Sequence, residues 1–97
     1  GVKLIMVMGH SRCGAVDAAI HNAGHDSIVH ITDEIRRAIG TETDPVCCEK
    51  KNIRHSMERI KKSPLLQTSI NDGSLKIVGA YYHTRSGKVE ILPEVEN

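Results

Sequence analysis

The 97-residue sequence has no tryptophan, no phenylalanine and only two tyrosines, Tyr81 and Tyr82. Base stacking on aromatic rings, on which most single-stranded nucleic-acid binding rests, is nearly excluded. Nor is there an excess of either charge: 13 Lys and Arg against 12 Asp and Glu leave a formal net charge of +1. No bulk field draws the chain to nucleic acid or to an anionic membrane. The longest apolar stretch, around Leu4 to Met8, is far short of the roughly 20 residues that a membrane-spanning helix needs. A soluble chain with no nucleic-acid and no membrane partner is expected. Cysteine is scarce too, and Cys13, Cys47 and Cys48 form an odd set with two neighbours adjacent, which suits no disulfide framework. Reduced thiols or metal ligands in the cytoplasm are the expectation. No signal-peptide pattern opens the chain. It starts at Gly1 and runs into an apolar strand almost at once, so further sequence is expected upstream.

What is present reads as α/β. Val2 to Met8 is nearly continuous in apolar residues, the pattern of a strand covered on both faces in a parallel sheet, so it is expected in the interior. Gly9-His10-Ser11-Arg12-Cys13-Gly14 then leads into a helix over residues 15–21, with Gly24 placed to stop it. Ile28, Ile31, Ile35 and Ile39 recur at helical spacing before Gly40, which predicts an amphipathic second helix. Asp44-Pro45 and Ser63-Pro64 each pair a capping residue with a proline at the first helical position. They predict a long helix to about Lys62, with Ile53, Met57 and Ile60 on its apolar face, and a short one through Leu65, Leu66 and Ile70 ended by Asn71-Asp72-Gly73. A second strand over Leu75 to Tyr82 and a third over Val89 to Leu92 flank the turn at Arg85-Ser86-Gly87. The long helical crossover implies a parallel first pair, and the hairpin an antiparallel edge. Three such strands cannot cover both faces of the first, so further strands are expected from elsewhere.

His10 and Cys13 stand three apart at the C-terminal end of the first strand, where open α/β sheets bind ligands. Imidazole nitrogen and thiolate are both good zinc donors, and a tight turn lets both point at one ion. The start of a helix at Cys13 favours its ionised form, and Gly9 and Gly14 allow the backbone to approach closely. The plain alternative is a buried thiol acting as a small hydrophobe beside a hydrogen-bonded histidine, and the two residues alone leave both readings open. A phosphate cradle fits less well, because the glycine spacing of dinucleotide and P-loop motifs is absent. A phosphatase-like loop fails because Arg12 precedes the cysteine.

The segment from Gly1 to Val16 resembles the second zinc-ligand segment of the β-class carbonic anhydrases. Asn52 to Met57, Ser63 to Leu66 and Gly73 to Tyr82 with Gly87 to Val89 are similar, in the same order, to the C-terminal half of that family. The resemblance implies one domain over residues 1–97, the C-terminal part of a partial three-layer sheet-and-helix fold. It implies His10 and Cys13 as two ligands of a Zn2+ ion. The family's third ligand lies in an upstream Cys-x-Asp-Ser-Arg segment, whose Asp–Arg pair stands beside the metal. That segment is absent here, and Ser11-Arg12 does not replace it, so no catalytic residue beyond the zinc donors is assigned.

In a complete site, three protein ligands and a water surround the zinc, which lowers that water's pKa to about 7 for attack on carbon dioxide. The implied function is the reversible hydration of carbon dioxide to bicarbonate and a proton. Little or no activity is expected of this chain alone, with two donors. The implied partners are carbon dioxide and bicarbonate, a homodimer or higher oligomer, or an upstream half that supplies the missing ligand. A non-catalytic assembly or regulatory module is the alternative.

Other residues carry weaker signals. At most one of Cys47 and Cys48 can face a metal, because neighbours on a helix point about 100° apart. His21, His25 and His30 are expected to face solvent or cap helices. Lys50, Lys51, Arg54, Arg59, Lys61 and Lys62 read as a solvated basic face balanced by Glu49 and Glu58. One of Tyr81 and Tyr82 is expected in the core, since strand neighbours alternate faces.

Overall fold

The computed structural model describes residues 3–23 and 28–94. Strand β1 (Lys3–His10) pairs in parallel with β2 (Leu75–Tyr82), from Lys3 opposite Leu75 to His10 opposite Tyr82. Strand β3 (Val89–Ile91) pairs antiparallel with β2, with Ala80 opposite Ile91 and Tyr82 opposite Val89. The sheet order is β1-β2-β3. In the hairpin, the amide of Gly87 donates to the carbonyl of His83 and that of His83 to the carbonyl of Lys88, each at 2.8 Å. Gly87 has φ +76°, a left-handed position that glycine takes without steric cost.

Among the described residues four helices fill the crossover from β1 to β2: α1 (Gly14–Ile20), α2 (Val29–Ile39), α3 (Pro45–Lys61) and α4 (Pro64–Asn71). The Asp44 carboxylate accepts the Cys47 amide at 3.0 Å and Pro45 opens the first turn of α3, so the capping signal formed as read. Helix α1 stops short of the expected glycine. Asn22 turns the chain at φ +54°, a conformation asparagine tolerates, and Gly24 lies outside the described residues.

Apolar side chains gather in two clusters. Val16, Ala19, Ile35, Ile39 and Cys48 join α1, α2 and α3, and Ile53, Tyr81 and Leu92, with Val7 and Met57, join α3 to the sheet. The buried stripe of α2 is Thr32, Ile35 and Ile39, whereas the expected Ile28 and Ile31 are exposed. The Thr32 hydroxyl donates to the Val29 carbonyl at 3.2 Å, so its burial strands no polar atom. Helix α3 lies close on the sheet because of two glycines. A Cβ at Gly9 would fall 2.7 Å from Cδ1 of Ile53, and one at Gly79 would fall 2.7 Å from Sδ of Met57.

The interior placement expected of β1 is corrected: among the described residues it is an edge strand with one bare face. Its odd positions, Val7 among them, face α3. Leu4, Met6 and Met8 alternate to the other side and are 43% to 57% exposed. Register puts Val89 and Ile91 on that same face, and both are exposed. The near-continuous apolar run prepares β1 for cover on both sides, and the helices among the described residues supply it on one.

Candidate functional site

The turn from His10 to Cys13 joins the C-terminal end of β1 to α1. Arg12, at its apex, has φ +58°, a left-handed conformation that costs a side-chain-bearing residue about 1–2 kcal/mol. Bonds on either side hold it there. The Ser11 amide donates to the Tyr82 carbonyl at 2.9 Å, and Ser11 Oγ accepts the Thr84 amide at 2.9 Å. On the other side, the Cys13 amide donates to Oε2 of Glu49 at 2.9 Å. The turn is thus fastened to β2 before its apex and to α3 after it.

His10 lies at the end of the bare sheet face and is exposed. Its Nδ1 lies 2.9 Å from the Ser11 carbonyl. A carbonyl only accepts, so Nδ1 is the donor of this bond, and Nε2 is the ring nitrogen left for a metal. Cys13 is half-buried and packs against the α1–α2–α3 cluster. The turn therefore carries one imidazole and one thiol of the types zinc takes. Of the two glycines read as serving this turn, Gly9 makes room for Ile53, while a Cβ at Gly14 would meet nothing within 4 Å.

Glu49 corrects the reading of α3 as a solvated charged face. It is 4% exposed, with Tyr81 1% exposed behind it. Oε1 accepts the Tyr81 hydroxyl at 2.5 Å while Oε2 holds Cys13. Burial first, and then the bond to Glu49, pushes the Tyr81 hydroxyl well above the usual tyrosine range. The Tyr81 ring is bracketed by Lys50 Nζ, 5.3 Å from its centroid, and by the edge-on His83 ring at 5.0 Å. Both neighbours also bond Glu90, whose carboxyl is held below the usual range chiefly by Lys50 and then by His83. Spacing held a signal for Glu49, which extends the Ile53, Met57 and Ile60 stripe back by one turn.

Among the described residues the remaining candidates complete no group of three donors with the turn. Cys48 is buried, its thiol 3.3 Å from the Glu42 carbonyl, and burial raises its pKa. Cys47 is exposed, and the hydrogen bond to Asp44 raises its pKa. His21 Nδ1 donates to the Asp17 carbonyl at 2.9 Å and so caps α1, His30 is exposed, and His25 lies outside the described residues. Tyr81 is the core tyrosine, and Tyr82 is half-buried on the other face. His55 bonds Glu34 at 2.8 Å, tying α3 to α2, and is the first cause of a lowered Glu34 pKa.

A catalytic zinc takes three protein ligands and leaves one position open. His10 and Cys13 fit two of them by donor type. Among the described residues no group of three or more His, Cys, Asp and Glu side chains is placed to hold a metal. The donor chemistry fits, and among the described residues the donor count stops at two.

Known proteins give this arrangement a context. The family model described as "Carbonic anhydrase" matches residues 1–89. Beta carbonic anhydrase 5, chloroplastic, of Arabidopsis thaliana is 32% identical over 96 aligned residues, covering 84% of this chain and 32% of that protein. Beta carbonic anhydrase 6, mitochondrial, of the same plant is 29% identical, covering 92% of this chain and 36% of that protein. The fold superposes on Coccomyxa beta-carbonic anhydrase in complex with acetazolamide with a TM-score of 0.75 at 23% identity, over 93% of this chain and 46% of that one. For wild-type CafD of Aspergillus fumigatus the TM-score is 0.71 at 15% identity, over 94% and 57%. The chain spans about a third of the curated relatives' length and about half of these solved chains. With the family match running through nearly every element and the fold agreeing, the chain belongs to the carbonic anhydrases, in their β class.

Proposed function

We propose that this chain contributes two zinc donors, His10 and Cys13, to a β-class carbonic anhydrase that interconverts carbon dioxide and bicarbonate. The observation that carries the reading is the pairing of these donor types on one fastened turn, in a chain matched to the family over residues 1–89. Zinc, when bound, supplies the Lewis acidity that brings the pKa of water to about 7. His10 offers Nε2, because Nδ1 is engaged by Ser11. Cys13 offers its sulfur from a backbone held by Glu49. Ser11 and Thr84 keep the turn against the end of β2.

The third donor comes, on this reading, from an upstream segment of the same product or from a partner chain. Full hydratase activity belongs to that complete assembly, and the 97 residues alone are expected to show little or none. A homodimer or higher oligomer is part of the same proposal, since the bare face of Leu4, Met6 and Met8 favours association. So is a cytoplasmic location, argued from the odd and adjacent thiols. A non-catalytic assembly or regulatory module is the second reading, favoured by the count of two donors among the described residues. The mass of the native gene product separates them, a product about twice this size or more supporting the enzyme.

Elemental analysis of freshly purified protein, with a His10→Ala/Cys13→Ala control, tests the metal. About one zinc per chain, lost in the double variant, is expected. Zinc retained by the double variant would overturn the assignment, and a folded wild type without zinc would overturn the reading of this chain as itself a metalloenzyme, leaving the metal to whatever carries the upstream half.

A further inference from the structure

Glu49 is a carboxylate on the sheet-facing stripe of α3, one turn before Ile53. Buried carboxylates are costly unless fully hydrogen-bonded. Both oxygens of Glu49 are used, and among the described residues it makes no ion pair. One oxygen takes the buried Tyr81 hydroxyl, and the other takes the backbone amide of Cys13. These groups come from three separate elements: β2, α3 and the turn before α1. The strained residue of that turn, Arg12, sits directly before the amide that Glu49 holds.

We propose that Glu49, braced by Tyr81, is a positioning residue for the metal turn: its carboxylate fixes the Cys13 amide and thereby the course of the Cys13 side chain. The proposal rests on the reading of His10 and Cys13 as zinc donors. Without the carboxylate, the Cys13 amide loses its acceptor, and beyond Arg12 the turn is left to the Cys13 carbonyl, which takes the Asp17 amide at 3.0 Å, and to the packing of Cys13 on the α1–α2–α3 cluster. The thiol then samples several positions, and a donor pair that must meet one ion loses its preorganisation. Tyr81 acts one step back, since its hydroxyl sets which way the carboxylate faces.

The test uses the 97-residue chain with Glu49→Ala, Glu49→Gln and Tyr81→Phe, read in two ways. Without metal, NMR hydrogen exchange follows the Cys13 amide, with the Ile35 and Ile39 amides of α2 as internal controls. With Co2+ in place of zinc, chelator competition gives the affinity, and the thiolate-to-cobalt absorption band reports the Cys13 sulfur. Glu49→Ala is expected to lose Cys13 protection while α2 keeps its own, and to lower cobalt affinity about 10- to 100-fold with a weakened thiolate band. Tyr81→Phe should move both readouts in the same direction by less. Glu49→Gln should restore most of both, since its carbonyl can accept the Cys13 amide while its NH2 donates to the Tyr81 oxygen.

Unchanged Cys13 protection in Glu49→Ala overturns the proposal. So does lost protection with unchanged cobalt affinity and band, which would leave Glu49 a purely structural contact. Wild-type protein that takes up no cobalt overturns the reading of this chain as itself a metal binder and this proposal with it, whereas equal uptake by wild type and Glu49→Ala overturns this proposal alone. Should Glu49→Ala not fold, Tyr81→Phe, which removes a single hydroxyl, decides on the same criteria.

Discussion

Gly9 precedes His10 on β1, and replacing it with alanine asks whether the seat of α3 on the sheet is as tight as the structure shows. The new Cβ would fall 2.7 Å from both Cδ1 and Cγ1 of Ile53, against a comfortable carbon–carbon separation of about 3.5–4.0 Å. Something must yield by about 1 Å. Ile53 is buried among Tyr81, Leu92, Val7 and Met57, so its retreat is blocked. Overpacking of this kind costs about 1–3 kcal/mol. With a urea m-value of about 1–3 kcal/mol per molar, the unfolding midpoint should fall by roughly 1 M. Far-UV circular dichroism is the suitable probe, because the chain has no tryptophan. A double-mutant cycle then isolates the contact. Ile53→Ala alone should cost about 2–5 kcal/mol through lost burial and a cavity. In that background the alanine at Gly9 keeps only an ordinary contact with the Glu49 carbonyl at 3.9 Å, so its cost should drop to about zero, a coupling of roughly 1–3 kcal/mol. Equal costs of Gly9→Ala in the two backgrounds, within about 0.5 kcal/mol, would refute the close-approach reasoning.

Three further outcomes are expected. Gly87→Ala should destabilise the chain by roughly 1–2 kcal/mol because φ is +76° there, whereas Gly14→Ala, with nothing within 4 Å of its Cβ, should be neutral or stabilising by up to about 1 kcal/mol; thermal melts of the two separate conformational need from mere glycine content. Glu34 and Glu90 are held below the usual carboxylate range, Glu34 chiefly by His55 and Glu90 chiefly by Lys50. Lowered folded-state values mean that the stabilisation is complete above the unfolded carboxylate pKa and is lost as pH falls through the folded ones. The denaturation midpoint should therefore drop on acidification, and Glu34→Gln with Glu90→Gln should flatten that slope; an unaltered slope would remove both groups from the account. Leu4→Lys/Met6→Lys on the bare sheet face should shift sedimentation equilibrium toward the monomer, and an unchanged mass average would show that this face does not drive association.

The sequence by itself determined the elements and the turn that carries the proposed donors, His10 and Cys13. Asp44-Pro45, Pro64, Gly40 and Gly87 act within a few residues of themselves, so the Asp44 cap sets the start of α3, Pro64 that of α4, where Ser63 makes no side-chain cap bond, and the two glycines the end of α2 and the hairpin. Leu75 to Tyr82 formed a strand over the residues its composition indicated, in the parallel pair that a helical crossover requires. His10 and Cys13 stood out for the same reason, because three residues across a turn is a local fact. Tertiary structure alone decided which charges were solvated and which strand face was covered. Glu49 sits among lysines in sequence, yet α3 lies across the sheet so that its carboxylate meets Tyr81, 32 residues away, and Cys13, 36 residues away. That placement depends on Gly9 and Gly79 yielding space to Ile53 and Met57, a relation between distant residues that no local pattern encodes. The exposed side of β1 has the same origin: an apolar run states that a strand can be covered twice, and only packing determines from how many sides cover arrives.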